Sequence, residues 1–133
     1  MHPPYEIILK HPPDFRVLYR FYDESEGGKK IIPSQGYRSD FWYFHEKQPN
    51  PNSIYMIWPE FEDKSQIVIT DTSQSVNSTG TARMWIMNPK MRKFHQELLK
   101  VGMTGYFMEG GWRVAECEII EILGLLINPT DEK

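Results

Sequence analysis

Thr104-Gly-Tyr-Phe-Met-Glu-Gly-Gly-Trp-Arg-Val-Ala-Glu-Cys-Glu-Ile-Ile-Glu-Ile-Leu123 decides the fold class. Two runs rich in aromatic and β-branched residues, Thr104 to Met108 and Trp112 to Leu123, flank Glu109-Gly110-Gly111. Glycine supplies the positive φ that a tight hairpin turn demands, so the stretch predicts two antiparallel strands. In the second arm Ala115, Cys117 and Ile119 alternate with Glu116 and Glu118. The phase then slips, with Ile120 and Ile122 flanking Glu121. A slip of one residue predicts a bulge or a stretch buried on both faces.

Working outward, Phe15, Val17, Tyr19 and Phe21 alternate with Arg16, Leu18, Arg20 and Tyr22, which predicts a strand with one apolar face. Phe41 to Phe44, Ile54 to Trp58 (ended by Pro59), Gln66 to Thr70 and Thr81 to Met87 read as further strands. Asp23 to Lys30, with Gly27-Gly28, reads as a turn-bearing loop, and residues 45–53 and 71–80 as polar loops. Asn88-Pro89 breaks the strand before it. Met91 to Lys100 is the one helical segment, because Phe94, Leu98 and Leu99 share a face. Tyr5 to Leu9 reads as an edge strand, since Pro3, Pro4, Pro12 and Pro13 bar it from a sheet centre. The division expected is an N-terminal extension at 1–13, a β-barrel domain at 14–127 and a C-terminal tail at 128–133. Many short strands with one short helix near 90–100 predict an all-β barrel or sandwich.

The chain has 133 residues, enough for one domain, with hydrophobic residues at 40% to fill a core. Its formal charge of −3 argues against an independent nucleic-acid binder, which needs clustered cations. The single cysteine, Cys117, allows no internal disulfide and lies in an apolar strand pattern, as a small buried hydrophobe would. With no signal-peptide pattern at the start and no long apolar run, a cytoplasmic protein free of the membrane is expected.

No catalytic motif stands out. His2, His11, His45 and His95 lack metal-ligand spacing, and His45 and His95 read as exposed polar residues. Glu60, Glu62 and Asp63, like Glu116, Glu118 and Glu121, read as solvated carboxylates on a loop and a strand face. Paired acids in a cleft are the alternative. No metal, cofactor or enzyme activity is expected. Trp112 follows the hairpin turn, next to Arg113, and has the look of an exposed binding anchor.

Glu26-Gly27-Gly28-Lys29, Gly36-Tyr37-Arg38-Ser39-Asp40-Phe41-Trp42-Tyr43 and Glu109-Gly110-Gly111-Trp112-Arg113-Val114 through Ile122-Leu123-Gly124, in this order and spacing, resemble the C-terminal β-barrel, or third domain, of translation elongation factor Tu. The resemblance implies a closed antiparallel six-stranded barrel without the GTPase domain, and so no GTP binding. By position it implies that Arg38, Gly110 and Gly111 correspond to the family's contacts with transfer RNA. The chain departs from the family at Asp40, which stands where glutamine is usual, at Trp112, and at Val114-Ala115-Glu116-Cys117. The reading that results is a non-catalytic module binding a protein partner through Arg38, Gly110, Gly111, Trp112 and Arg113. Its alternative is an accessory tRNA-binding protein linked to translation. For Arg38 itself, a structural ion pair at the barrel rim is the competing role.

Overall fold

Phe15, Val17, Tyr19 and Phe21 are all buried, while Leu18 between them is exposed and Arg16 and Arg20 are half-buried. This alternation sets the inner face of the sheet, as the sequence predicts. The computed structural model describes residues 1–45 and 54–131. The elements are α1 (Tyr5–Leu9), β1 (Phe15–Phe21), a 3-10 turn (Glu24–Glu26), β2 (Asp40–Tyr43), β3 (Ile57–Phe61), β4 (Thr79–Ile86), α2 (Pro89–Leu98), β5 (Thr104–Glu109) and β6 (Trp112–Ile122).

The strands form one six-stranded antiparallel sheet in the order β2-β5-β6-β1-β4-β3. The sheet curls around an aromatic core in which the rings of Tyr19, Phe21, Phe41, Phe61 and Phe107 pack against one another, Tyr19 on Phe61 edge to face and others tilted. Each such ring contributes about 1.5–3 kcal/mol through burial.

The closed barrel expected from the sequence is not formed. The outer strands β2 and β3 are not paired with each other; β2 touches the other edge only through an isolated bridge from Phe41 to Tyr55, just before β3, and the architecture is a half-barrel. Closure stops there for a local reason. Just past the bridge, Ile57 N donates to Tyr55 O (2.9 Å) and Met56 O accepts from Met87 N (3.0 Å). The chain thus bends away from β2 towards β4.

The hairpin stands as predicted, with β5 and β6 joined across Gly110-Gly111. The phase slip in β6 is a bulge: Arg16 faces Glu121 while Val17 faces Ile119, so Ile120 is the extra residue. A second bulge leaves Val114 extra opposite Phe107 and Met108, which is why Val114 and Ala115 are both buried.

Four local expectations are corrected. Tyr5–Leu9 is a one-turn helix, because buried Glu60 accepts the Tyr5 backbone N–H (2.8 Å) and caps the turn from a distant strand. β3 continues through Pro59, which the sheet tolerates because β3 lies at its edge. Gln66 to Thr70 makes only an isolated bridge, Glu62 to Val68, since Gln66 turns the chain with φ of 60°. His45 and His95 are buried, not exposed. The helix predicted at Met91 to Lys100 is present as α2, with Asn88 capping its first turn and Pro89 opening it. The loop predicted at residues 45–53 lies almost wholly outside the described residues.

Two polar clusters tie the outer segments to this frame. At one end of the half-barrel, buried Asp14 accepts from Arg92 Nε (2.8 Å), Ile86 N (2.8 Å) and Asn128 Nδ2 (2.9 Å). Asn128, placed in a free tail by the sequence, is therefore part of the frame. On the outer side of β3 and β4, Glu60 accepts from His2 (2.6 Å) and Trp85 Nε1 (3.1 Å), which fastens residues 1–5 over the strand pair.

Candidate hairpin interface

The tip of the β5–β6 hairpin is held by the loop that follows β1. The Asp23 side chain accepts from Glu26 N (3.0 Å), and the Glu26 side chain accepts from Asp23 N (3.1 Å). This reciprocal cap fixes the 3-10 turn, and Gly27 leaves it with φ of 89°. Gly28 then lies so close to Tyr22 that an added Cβ would sit 2.0 Å from the Tyr22 carbonyl oxygen. The loop delivers Gly27 O to Trp112, whose indole N–H donates to it. Lys29 Nζ reaches Glu109 Oε2 (2.6 Å), and the Tyr37 hydroxyl donates to the same oxygen. The two Glu-Gly-Gly motifs, far apart in sequence, thus pack side by side.

The electrostatics follow from these bonds. Partial burial pushes the Glu109 carboxyl up, but its hydrogen bonds to Lys29 and Tyr37 outweigh this and hold it below the usual carboxylate range. Burial, with Glu109 adding to it, raises the Tyr37 hydroxyl. Glu109 is therefore a charged post that fixes the turn.

Trp112 is 44% exposed despite its anchored N–H. Arg113 lies 4.0 Å above the Tyr106 ring and 5.3 Å from that of Trp42. Trp42 and Tyr106 stack at 5.7 Å and 17°, and Phe44, half exposed, packs 4.5 Å from Trp42. The result is an aromatic face crowned by a guanidinium. Gly110, with φ of 60°, and Gly111 have nothing within 4 Å of an added Cβ, so the turn backbone is open to solvent. Such a face buries apolar area and offers directed polar groups together, which is the composition of an interface hot spot.

Arg38 lies elsewhere. It sits 4.7 Å above the Trp58 ring and beside Tyr5, whose hydroxyl is raised by burial against the opposing pull of Arg38. Tyr37 and Arg38 are consecutive, and only Tyr37 reaches the hairpin. Of the five predicted site residues, Gly110, Gly111, Trp112 and Arg113 form one surface, and Arg38 belongs to the side covered by the N-terminal segment. Sequence reasoning missed Lys29, Tyr37, Trp42, Phe44 and Tyr106. The outward alternation of Trp42 and Phe44 in an aromatic run was the available signal.

The carboxylates divide. Glu116, Glu118 and Glu121 stand on the outer sheet face as predicted, but Glu60 and Glu62 are buried. Glu62 accepts from Arg16 Nε (2.9 Å), Arg83 Nε (2.8 Å) and Thr81 (2.9 Å). Burial pushes its carboxyl up, and these bonds more than reverse that, leaving it lowered. Cys117 is buried, which raises its thiol well above the ordinary range. Among the described residues no group of three or more His, Cys, Asp or Glu could hold a metal ion. No helix among them is long and apolar enough to cross a membrane.

No protein-family model matches the chain, and no curated protein matches it either.

Proposed function

We propose that the chain is a non-catalytic β-barrel-like module that binds a protein partner through the hairpin face around Trp112 and Arg113. The carrying observation is that Trp112 is exposed while its N–H is tethered to Gly27 O. A large aromatic held in place before binding loses little rotamer freedom on association, which favours its use as an anchor. The neighbouring Arg113–Tyr106 pair, backed by the fully buried Trp42, adds contact area that is equally well ordered.

The proposed relationship is to the third domain of elongation factor Tu. Six antiparallel strands and the adjacency of the two Glu-Gly-Gly turns support it. Fold alone does not carry function, so the partner need not be that of the factor. The second reading, an accessory tRNA-binding protein, draws on the open backbone at Gly110-Gly111. Against it stand the half-buried Asp40 and the engagement of Arg38 with Trp58.

The test is affinity capture from source-cell lysate, with and without nuclease, for the natural chain and Trp112→Ala. A protein captured regardless of nuclease and lost with Trp112→Ala upholds the proposal. Recovery of transfer RNA, abolished by nuclease and weakened steeply by salt, would replace it with the second reading. Capture unaffected by Trp112→Ala removes the hairpin as the site.

A further inference from the structure

The outer face of β4, β1, β6 and β5 carries a groove unrelated to the hairpin tip. It is an open trough of about 420 Å³, lined by Leu18, Arg20, Thr79, Thr104, Glu116 and Glu118 among others. Strand register puts Leu18 opposite Thr81 on one side and Glu118 on the other, with Thr104 beyond Glu118. Leu18 is 48% exposed at the middle of the sheet, where an outward side chain is usually polar.

The charges around it are unevenly matched. In the row on one side, Arg16 pairs with Glu62 (2.9 Å) and with Glu121. In the row on the other, Arg20 pairs with Glu26 (2.9 Å) and Glu116 (3.0 Å). Arg83 is also engaged, by Glu62 (2.8 Å). In the Leu18 row the cross-strand neighbours of Glu118 are Leu18 and Thr104, so no cation faces it. Glu118 is exposed and makes no ion pair among the described residues.

We propose that this groove docks an extended segment of a protein partner bearing a lysine or arginine beside an apolar side chain. The cation meets Glu118, and the apolar group covers Leu18. Charge complementarity selects this occupant. A second copy of the chain paired by two-fold symmetry on this face would set two uncompensated Glu118 carboxylates near each other. An open trough also leaves a small apolar ligand largely in water. The proposal rests on the binding-module reading and supplies the chemistry of a partner, at a surface that adjoins the hairpin face where Glu116 pairs with Tyr106 but does not include Trp112. Glu118 lies six residues along β6 from Trp112, a span of about 20 Å in extended chain.

The full-length chain, labelled with nitrogen-15, is titrated with a synthetic peptide of alternating lysine and leucine and, separately, with one of alternating glutamate and leucine. The lysine peptide is expected to shift the amides of Leu18, Thr79, Thr104 and Glu118. Its affinity should fall about tenfold in Glu118→Lys and stay unchanged in Trp112→Ala. The glutamate peptide should leave these amides still. Absent shifts, shifts spread over all acidic surfaces, or full affinity in Glu118→Lys would overturn the proposal. So would a concentration-dependent dimer that Glu118→Lys dissolves, which would assign the face to a second copy. Both substitutions are at exposed positions, and an unchanged spectrum away from the groove verifies the fold. Failure of lysate capture would count against the proposed function alone, because the titration reads the groove without it.

Discussion

Buried polar residues carry the sharpest consequences at the residue scale. Asp14 and Arg92 are both buried and paired at 2.8 Å. Asp14→Ala would leave the buried Arg92 charge uncompensated, with only the Ile86 and Pro129 carbonyls as acceptors, and would take an acceptor from Ile86 N and Asn128 Nδ2. Removing one partner of a buried pair costs about 3–5 kcal/mol, so urea denaturation should show a loss of that order. Gly105 is a second point of this kind. An added Cβ there would stand 2.3 Å from Phe41 Cζ, in the ring of the residue whose backbone forms the seam bridge. Gly105→Ala should cost about 1–3 kcal/mol through overpacking, measured by the same denaturation. Asp14→Ala lies away from the hairpin face, so its effect on partner capture should follow stability alone.

His95 is buried in contact with Tyr43, whose hydroxyl lies 2.7 Å from Nδ1. Burial, with smaller contributions from His45 and Arg92, lowers its pKa to about 3. The imidazole therefore stays neutral when folded but takes up a proton once unfolded, at about pH 6.5. The unfolded chain binds more protons below that pH, so stability is full above about 6.5 and falls as pH drops towards 3. The slope from this residue is at most about 1.4 kcal/mol per pH unit. Urea midpoints are best compared between about pH 5.5 and 7, because the carboxyls lowered in the fold, Glu62 and Glu109, take up protons in the unfolded chain only below about pH 5. His95→Gln should flatten the dependence, and an unchanged slope would mean another group is responsible.

At the scale of elements, the N-terminal segment and the hairpin differ in how they are held. α1 hangs on one carboxylate, Glu60, which receives His2, the Tyr5 N–H and the Trp85 indole. Glu60→Ala removes three acceptor contacts at once. Hydrogen exchange should then quicken across residues 1–13, with the β1–β6 ladder still protected. If the ladder loses protection equally, the segment and the sheet fold as one unit. The hairpin was legible in the sequence, since its turn, strands and the bulge at Ile120 are all local signals. What steadies it was not legible. Lys29 reaches Glu109 across 80 positions of chain, and Trp112 reaches Gly27 across 85. Alternation states which way a side chain points, and it is silent about what stands opposite.

For the whole molecule, periodicity by itself determined the β class, the inner face of β1, the hairpin with the phase slip that the fold resolves as a bulge, and the break into α2 at Asn88-Pro89. These are properties of a strand or turn with its nearest neighbours, where sterics and one-sided burial act over a few residues. Tertiary structure decided the rest: the stop of the seam at Phe41 and Tyr55, the helical form of Tyr5–Leu9, and the burial of Glu60, Glu62, His45 and His95. A carboxylate or imidazole enters a core only when distant chain supplies its partner, as His2 does for Glu60 from 58 positions away and Tyr43 for His95 from 52. The same holds for the separation of Arg38 from the hairpin, because only the folded sheet assigns Tyr37 and Arg38 to different neighbours.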